Sequence, residues 1–138
     1  MNAYSHAKQL MLMAQKDISA LISMMSSDEI ADEIFGFHAQ QAAEKTLKAW
    51  IDAAGGTFGW VHDLRILLLT LQDLGFNIER YQDLISLNSY AVQFRYEPMG
   101  EEDESIDRTD TIHLVESLYK HVLNFMQQKE TYIFNIRR

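Results

Sequence analysis

Three polar side chains, His38, Gln41 and Lys45, stand at three- and four-residue spacing in the first half of the chain. Residues so spaced share one face of an α-helix, so an imidazole, an amide and an ammonium would form a single row. Such a row could line a nucleotide pocket, with the permanent cation of Arg95 beside it to meet phosphate. The plainer alternative buries His38 and Gln41 in hydrogen bonds to a neighbouring helix and lets Lys45 and Lys48 snorkel to water. A second pair, His62 and Asp63, admits a catalytic dyad. Adjacent residues at a helix start diverge, however, and Asp63 more simply accepts from the free N–H groups of a first turn.

Other chemistries find little purchase. A di-iron bundle needs paired Glu-x-x-His motifs, and the nearest match is Asp110-Thr111-Ile112-His113, which occurs once. His113 and His121 lie about two turns apart on a helix, too far to share one ion without further ligands. The chain has no cysteine, which excludes disulfides, thiolate zinc sites and cysteine nucleophiles. Neither a glycine-rich phosphate loop nor a Gly-x-Ser-x-Gly elbow occurs. No metal and no cofactor are expected.

These residues must be positioned by helices. An apolar fraction of 47% rules out global disorder, and one proline with six glycines leaves few interruptions. Apolar periodicity predicts a first helix over Tyr4–Met25, with Leu10, Met11, Met13, Ala14, Ile18, Leu21, Ile22 and Met25 inward. Ser27 or Asp28 is expected to cap a second helix over Glu29–Ala54, with Ile30, Ile34, Phe37, Gln41, Ala42, Leu47, Trp50 and Ile51 on its inner side. Gly55-Gly56 ends it. A third helix, Asp63–Leu74, turns Leu64, Leu67, Leu68 and Leu71 inward and stops at Gly75. The fourth is predicted over Ile78–Tyr96, stopped by Pro98 and Gly100, and the fifth over Thr109–Lys129. The tail Tyr132–Arg138 is apolar outside the clear period; it docks on the bundle or a second subunit, or trails as a helical turn. Long helices with short loops imply one all-α domain over 1–138, an antiparallel up-and-down bundle of about five helices around a four-helix core.

A net charge of −8 opposes nucleic-acid backbones at long range, so RNA chemistry would need a local basic site. The acidic loop Glu101–Glu104 reads as solvated, or as a contact for a basic partner. The methionines Met1, Met11, Met13, Met24 and Met25 cluster in the first helix as core, or as an adaptable docking face. Tyr81, Tyr90, Phe94, Tyr96, Tyr119 and Phe125 read mostly as core, with Tyr90 and Tyr96 able to reach a cleft beside Arg95. With no signal peptide and no membrane-length apolar run, a cytoplasmic location and no membrane association are expected.

The run Phe37-His38-Ala39-Gln40-Gln41-Ala42-Ala43-Glu44-Lys45-Thr46-Leu47-Lys48-Ala49 resembles the signature of HEPN domains. Asp17 in the first helix, His62-Asp63-Leu64 opening the third and Phe94-Arg95-Tyr96 closing the fourth agree in order, so the resemblance spans roughly Tyr4 to Gln127. It implies a helical bundle that forms a homodimer, often encoded beside a minimal nucleotidyltransferase, the two acting as toxin and antitoxin. Many HEPN proteins are metal-independent ribonucleases with an arginine followed four to six residues later by a histidine, near the end of the fourth helix. Others lack that motif and bind nucleotides or partner proteins.

Here Arg95 stands at the family's arginine, but Tyr96-Glu97-Pro98-Met99-Gly100-Glu101-Glu102 contains no histidine. A literal match, Arg108 with His113, falls instead at the start of the fifth helix. Arg95, Arg108 and His113 are therefore the catalytic candidates, and Arg95, Tyr96, His38, Gln41 and Lys45 the nucleotide-binding ones. The expected function is a non-catalytic HEPN protein that binds a nucleotidyltransferase-type partner and a nucleotide. A metal-independent ribonuclease toxin, with RNA as its partner, and a structural adaptor are the alternatives.

Overall fold

The computed structural model describes residues 2–137. Helix α1 spans Ala3–Met24, and its start is capped by the Asn2 side chain, which accepts from the Ser5 amide at 2.8 Å. Helix α2 spans Asp32–Ala53 and begins later than expected, with Ala31 at its cap position and no side-chain cap. Neither Ser27 nor Asp28 caps it, because the carbonyls of Ser27 and Ile30 turn to the Arg108 guanidinium instead of starting a helical ladder. Asp32 and Glu33 in the first turn put negative charge against the positive end of the helix dipole. Gly55, at φ +83°, ends α2, and Gly75, at φ +98°, ends α3, which spans Leu64–Asp73. Leu64, Leu67, Leu68 and Leu71 are all buried, as the period predicts.

The expected fourth helix is not continuous. Glu79–Leu87 forms a 3-10 helix, followed by two short α-helices, α4 (Asn88–Ala91) and α5 (Gln93–Tyr96), which meet at Val92 with φ −124° and ψ −65°. A 3-10 helix has three residues per turn. Tyr81, Leu84, Leu87 and Tyr90, each three apart, all turn inward and are buried. Asn88 ties this segment to α3: its Oδ1 accepts from the Leu64 amide at 3.0 Å and its Nδ2 donates to Asp63 at 2.8 Å.

Helix α6 runs Arg108–Ile136, capped by Asp107. It passes the predicted end at Lys129 because neither glycine nor proline follows Gly100. The tail is thus a helical continuation, with Tyr132, Phe134 and Ile136 exposed; Arg138 lies outside the described residues.

The start of α1 meets the ends of α2 and α6: His6 pairs with Asp52 at 2.5 Å, and the Tyr4 hydroxyl reaches the Met126 carbonyl at 3.4 Å. Glu33 near the start of α2 accepts from the Met99 amide, while Trp50 near its end packs on Tyr81. Successive members of the four-part core (α1, α2, the 3-10/α4/α5 segment and α6) therefore alternate in direction, and α3 packs on α2 and the 3-10 helix. Trp50, Phe35, Tyr81, Leu21, Leu47, Ile51, Leu84 and Leu118 fill the centre. Ile22 and Ile34, expected inside, are each 52% exposed, and Met13 and Met25 are exposed as well. Phe35, on the same buried face as Ala39, Ala42 and Ala43, takes the place expected for Ile34, and its ring lies 5.1 Å from the Arg108 guanidinium. Met11 is core, whereas Met1 lies outside the described residues. Among the described residues no helix is long and apolar enough to cross a membrane.

Candidate functional site

The polar face of α2 is organised by two carboxylates. Asp17 on α1 is only 8% exposed and Glu44 on α2 only 5%. A buried carboxylate is costly unless it is paired and hydrogen-bonded, and both are. Asp17 takes His38 Nδ1 at 3.0 Å and Lys45 Nζ at 2.7 Å. Glu44 takes Gln40 Nε2 at 3.0 Å, Lys48 Nζ at 3.2 Å and His62 Nδ1 at 3.1 Å to each oxygen. Gln40 also donates to the His62 carbonyl at 3.2 Å, which pins the entry to α3, and its own oxygen accepts from Gln41 at 2.8 Å.

Beside Glu44 a cleft of ≈ 480 Å³ opens between α2 and the α4/α5 segment, lined by Phe37, Gln41, Glu44, His62, Val92, Arg95 and Tyr96 among others. Arg95 stands at the rim, its guanidinium carbon 5.2 Å from the Phe37 ring centre and 5.5 Å from that of Tyr96. Among the described residues no carboxylate pairs with it. Aromatic faces hold a cation in place without neutralising it. The cleft therefore offers a fixed, unneutralised guanidinium next to a 79% exposed tyrosine.

His62 faces Arg95's cleft with a defined tautomer. Its Nδ1 lies against two carboxylate oxygens, which accept and do not donate, so Nδ1 carries the hydrogen and Nε2 of the neutral ring keeps a lone pair. A carboxylate behind an imidazole orients the ring and fixes its tautomer.

Residues 7–130 match the family model of the HEPN domain. The chain belongs to the HEPN domain family. No curated protein and no solved structure registers as a match. In this HEPN protein the five nucleotide-binding candidates separate into two groups. Gln41, Arg95 and Tyr96 line the cleft, whereas His38 and Lys45 turn to Asp17 on α1. His38 does bond to a neighbouring helix but is half-buried instead of buried, Gln41 bonds to Gln40 within α2 instead of to another helix, and Lys45 and Lys48 are ion-paired instead of snorkelling freely.

Of the catalytic candidates, Arg108 is a structural clamp. All five of its N–H groups are engaged: Nε and Nη2 with Asp32 at 3.2 and 3.0 Å, Nη1 with the Met24 and Ser27 carbonyls at 2.6 and 3.2 Å, and Nη2 with the Ile30 carbonyl at 2.5 Å. None remains for a phosphate. His113 lies further along α6 in a different groove, with Arg80 and Lys120. His62 and Asp63 diverge as expected, since Asp63 accepts from the Arg65 amide at 2.9 Å and from Asn88.

Sequence reasoning missed Glu44 and Phe37 as cleft residues and did not bring His62 to Arg95. The usable signal was Gln40 and Glu44 at i, i+4 on an otherwise apolar helix face, since an acid amid alanines needs a cation or an imidazole brought from elsewhere.

Proposed function

We propose that this HEPN protein binds a nucleotide phosphate at Arg95, as the non-catalytic member of a toxin-antitoxin-like pair whose other member is a nucleotidyltransferase-type protein. One observation carries the binding half of this reading: the Arg95 guanidinium lies against two aromatic rings, with no carboxylate partner among the described residues, at the rim of a cleft walled by Phe37 and Tyr96. A guanidinium fork suits phosphate oxygens, and exposed aromatic faces suit a base. Resemblance to the HEPN family is the support for the protein partner and for a homodimer, and the lack of cysteine suits a reducing cytoplasm. Calorimetric titration of ATP, GTP and the monophosphates into the purified protein tests the first half. Binding is expected in wild type and lost in a folded Arg95→Ala protein; equal affinity in both refutes the site. Affinity capture from native cells tests the second half, and recovery of no nucleotidyltransferase-type protein refutes it.

A second reading is favoured by the pairing of His62 with Glu44. The histidine missing after Arg95 in sequence has a counterpart in space, because His62 lines the cleft that Arg95 rims. A base at Nε2 and a cation on the phosphate are the two groups that metal-free RNA cleavage needs. The same cleft would then act as a ribonuclease toxin. Metal-free incubation with RNA decides: cleavage abolished by both His62→Ala and Arg95→Ala supports this reading, and an inert wild type removes it.

A further inference from the structure

A groove on a different side of the bundle carries chemistry that the Arg95 cleft does not use. The middle of α6 presents His113, Glu116, Ser117, Lys120, His121 and Asn124 at spacings of one, three and four, a single helix face. Arg80 of the 3-10 helix faces them across a groove of ≈ 460 Å³. It is held by the Ser117 hydroxyl at 3.1 Å and by the Tyr81 ring, 5.5 Å from the guanidinium carbon. Glu116 is the one carboxylate in the lining, and among the described residues neither Arg80 nor Lys120 has an ion-pair partner. A chain of net charge −8 thus concentrates two unpaired cations and two imidazoles on one short stretch of surface.

The groove also has a rigid back wall. His121 packs on Trp50 at 4.9 Å and on Tyr81 at 5.8 Å between ring centres. Behind the lining, Trp50 Nε1 is buried with no hydrogen-bond partner among the described residues, and the buried Tyr81 hydroxyl lies against Ser117. Burial, and secondarily Arg80, push the His121 imidazole below its ordinary range. Arg80 and Lys120 can only donate, Ser117, Asn124 and the two imidazoles can donate as well as accept, and Glu116 is the one purely accepting side chain, so the lining carries a surplus of donors and of positive charge that an oxyanion meets.

We propose that the groove between the 3-10 helix and the middle of α6 is an anion site that takes a phosphate oxyanion. Arg80 and Lys120 supply the charge, and Ser117, Asn124, His113 and His121 supply hydrogen bonds. The site shares no residue with the Arg95 cleft and does not depend on the reading given to it. Its ligand is a phosphate group, carried either by a small molecule or by a nucleic-acid backbone.

The test is titration of the folded protein with inorganic pyrophosphate, and separately with an RNA trinucleotide lacking terminal phosphates, followed by the NMR signals of the histidine rings at constant ionic strength. Saturable shifts at His113 and His121 are expected in wild type and in Arg95→Ala. In Arg80→Gln/Lys120→Gln the affinity should fall at least about tenfold, the weight of a charge-assisted hydrogen bond. Glu116→Gln should bind more tightly than wild type, which keeps the site testable if the double variant does not fold. Tighter binding of pyrophosphate identifies a small phosphate, and tighter binding of the trinucleotide identifies a backbone. Shifts that grow without saturating, match those caused by chloride, or persist in the double variant overturn the proposal.

Discussion

Arg108 and Asp32 close the connection between α1 and α2, with Nη2 3.0 Å and Nε 3.2 Å from the same carboxylate oxygen. The same guanidinium binds three main-chain carbonyls of that connection, so one side chain at the start of α6 organises a turn some eighty residues earlier. Truncation leaves those carbonyls and Asp32 without their donor. Arg108→Ala is expected to lower stability by about 2–4 kcal/mol. Arg108→Lys, which lacks the fork, should recover only part of it. Urea unfolding measures both, and a change in Arg108→Ala of under about 0.5 kcal/mol, the scale of an ordinary surface substitution, refutes the clamp.

Gly36 sits inside α2, where alanine ordinarily stabilises a helix by about 1 kcal/mol. Here a Cβ would lie 2.2 Å from Tyr90 Cδ1. Tyr90 is itself buried and packs on Phe94 at 5.1 Å, so the ring has little room to retreat. Overpacking of this kind costs about 1–3 kcal/mol and outweighs the propensity gain. Gly36→Ala should therefore melt lower than wild type, and a higher melting temperature would show that the Tyr90 ring moves freely.

His121 gives the fold a pH dependence of definite sign. Burial, then Arg80, lower its proton affinity in the folded state, so the unfolded chain binds the proton more readily. Stability from this residue is complete above the unfolded value near 6.5 and is lost as pH falls through the lower, folded value. The drop in melting temperature between pH 7.5 and 5 should be smaller in His121→Gln than in wild type. Identical drops would mean that His121 does not contribute.

Glu44→Gln keeps the shape of the side chain but removes its charge, leaving Lys48 and His62 without their anion. Lys48, whose side chain is 12% exposed, loses the most. Stability should fall by about 1–3 kcal/mol, the cost of a partly buried charge losing its partner. His62 is the more exposed of the two, with 65% of its side chain accessible, so its ring should gain mobility instead of unfolding the entry to α3. NMR relaxation of the His62 ring checks this; unchanged order in the variant would show that Glu44 does not hold it.

The HEPN match over residues 7–130, the all-α character and the main helices were legible in the residues themselves. Periodicity places α1, α2 and α3 within a few residues, Asp63 caps α3, and Gly55 and Gly75 adopt the left-handed conformation that ends a helix. All of these follow from interactions within one or two turns, which depend on neighbours along the chain. The 3-10 segment belongs there too in retrospect, since Tyr81, Leu84, Leu87 and Tyr90 repeat every three residues.

The partners of the polar residues were decided only by the tertiary structure. His38 and Lys45 share a row with Gln41, yet they turn to Asp17, 21 and 28 residues away, and leave the cleft to Gln41, Arg95 and Tyr96. His62 turns to Glu44 and so enters the cleft that Arg95 rims. Arg108, a motif match by spacing, is claimed by carbonyls of the α1–α2 connection. The reason is physical: helical spacing sets which residues share a face, whereas a buried carboxylate or carbonyl takes whichever donor the packed helices bring within about 3 Å.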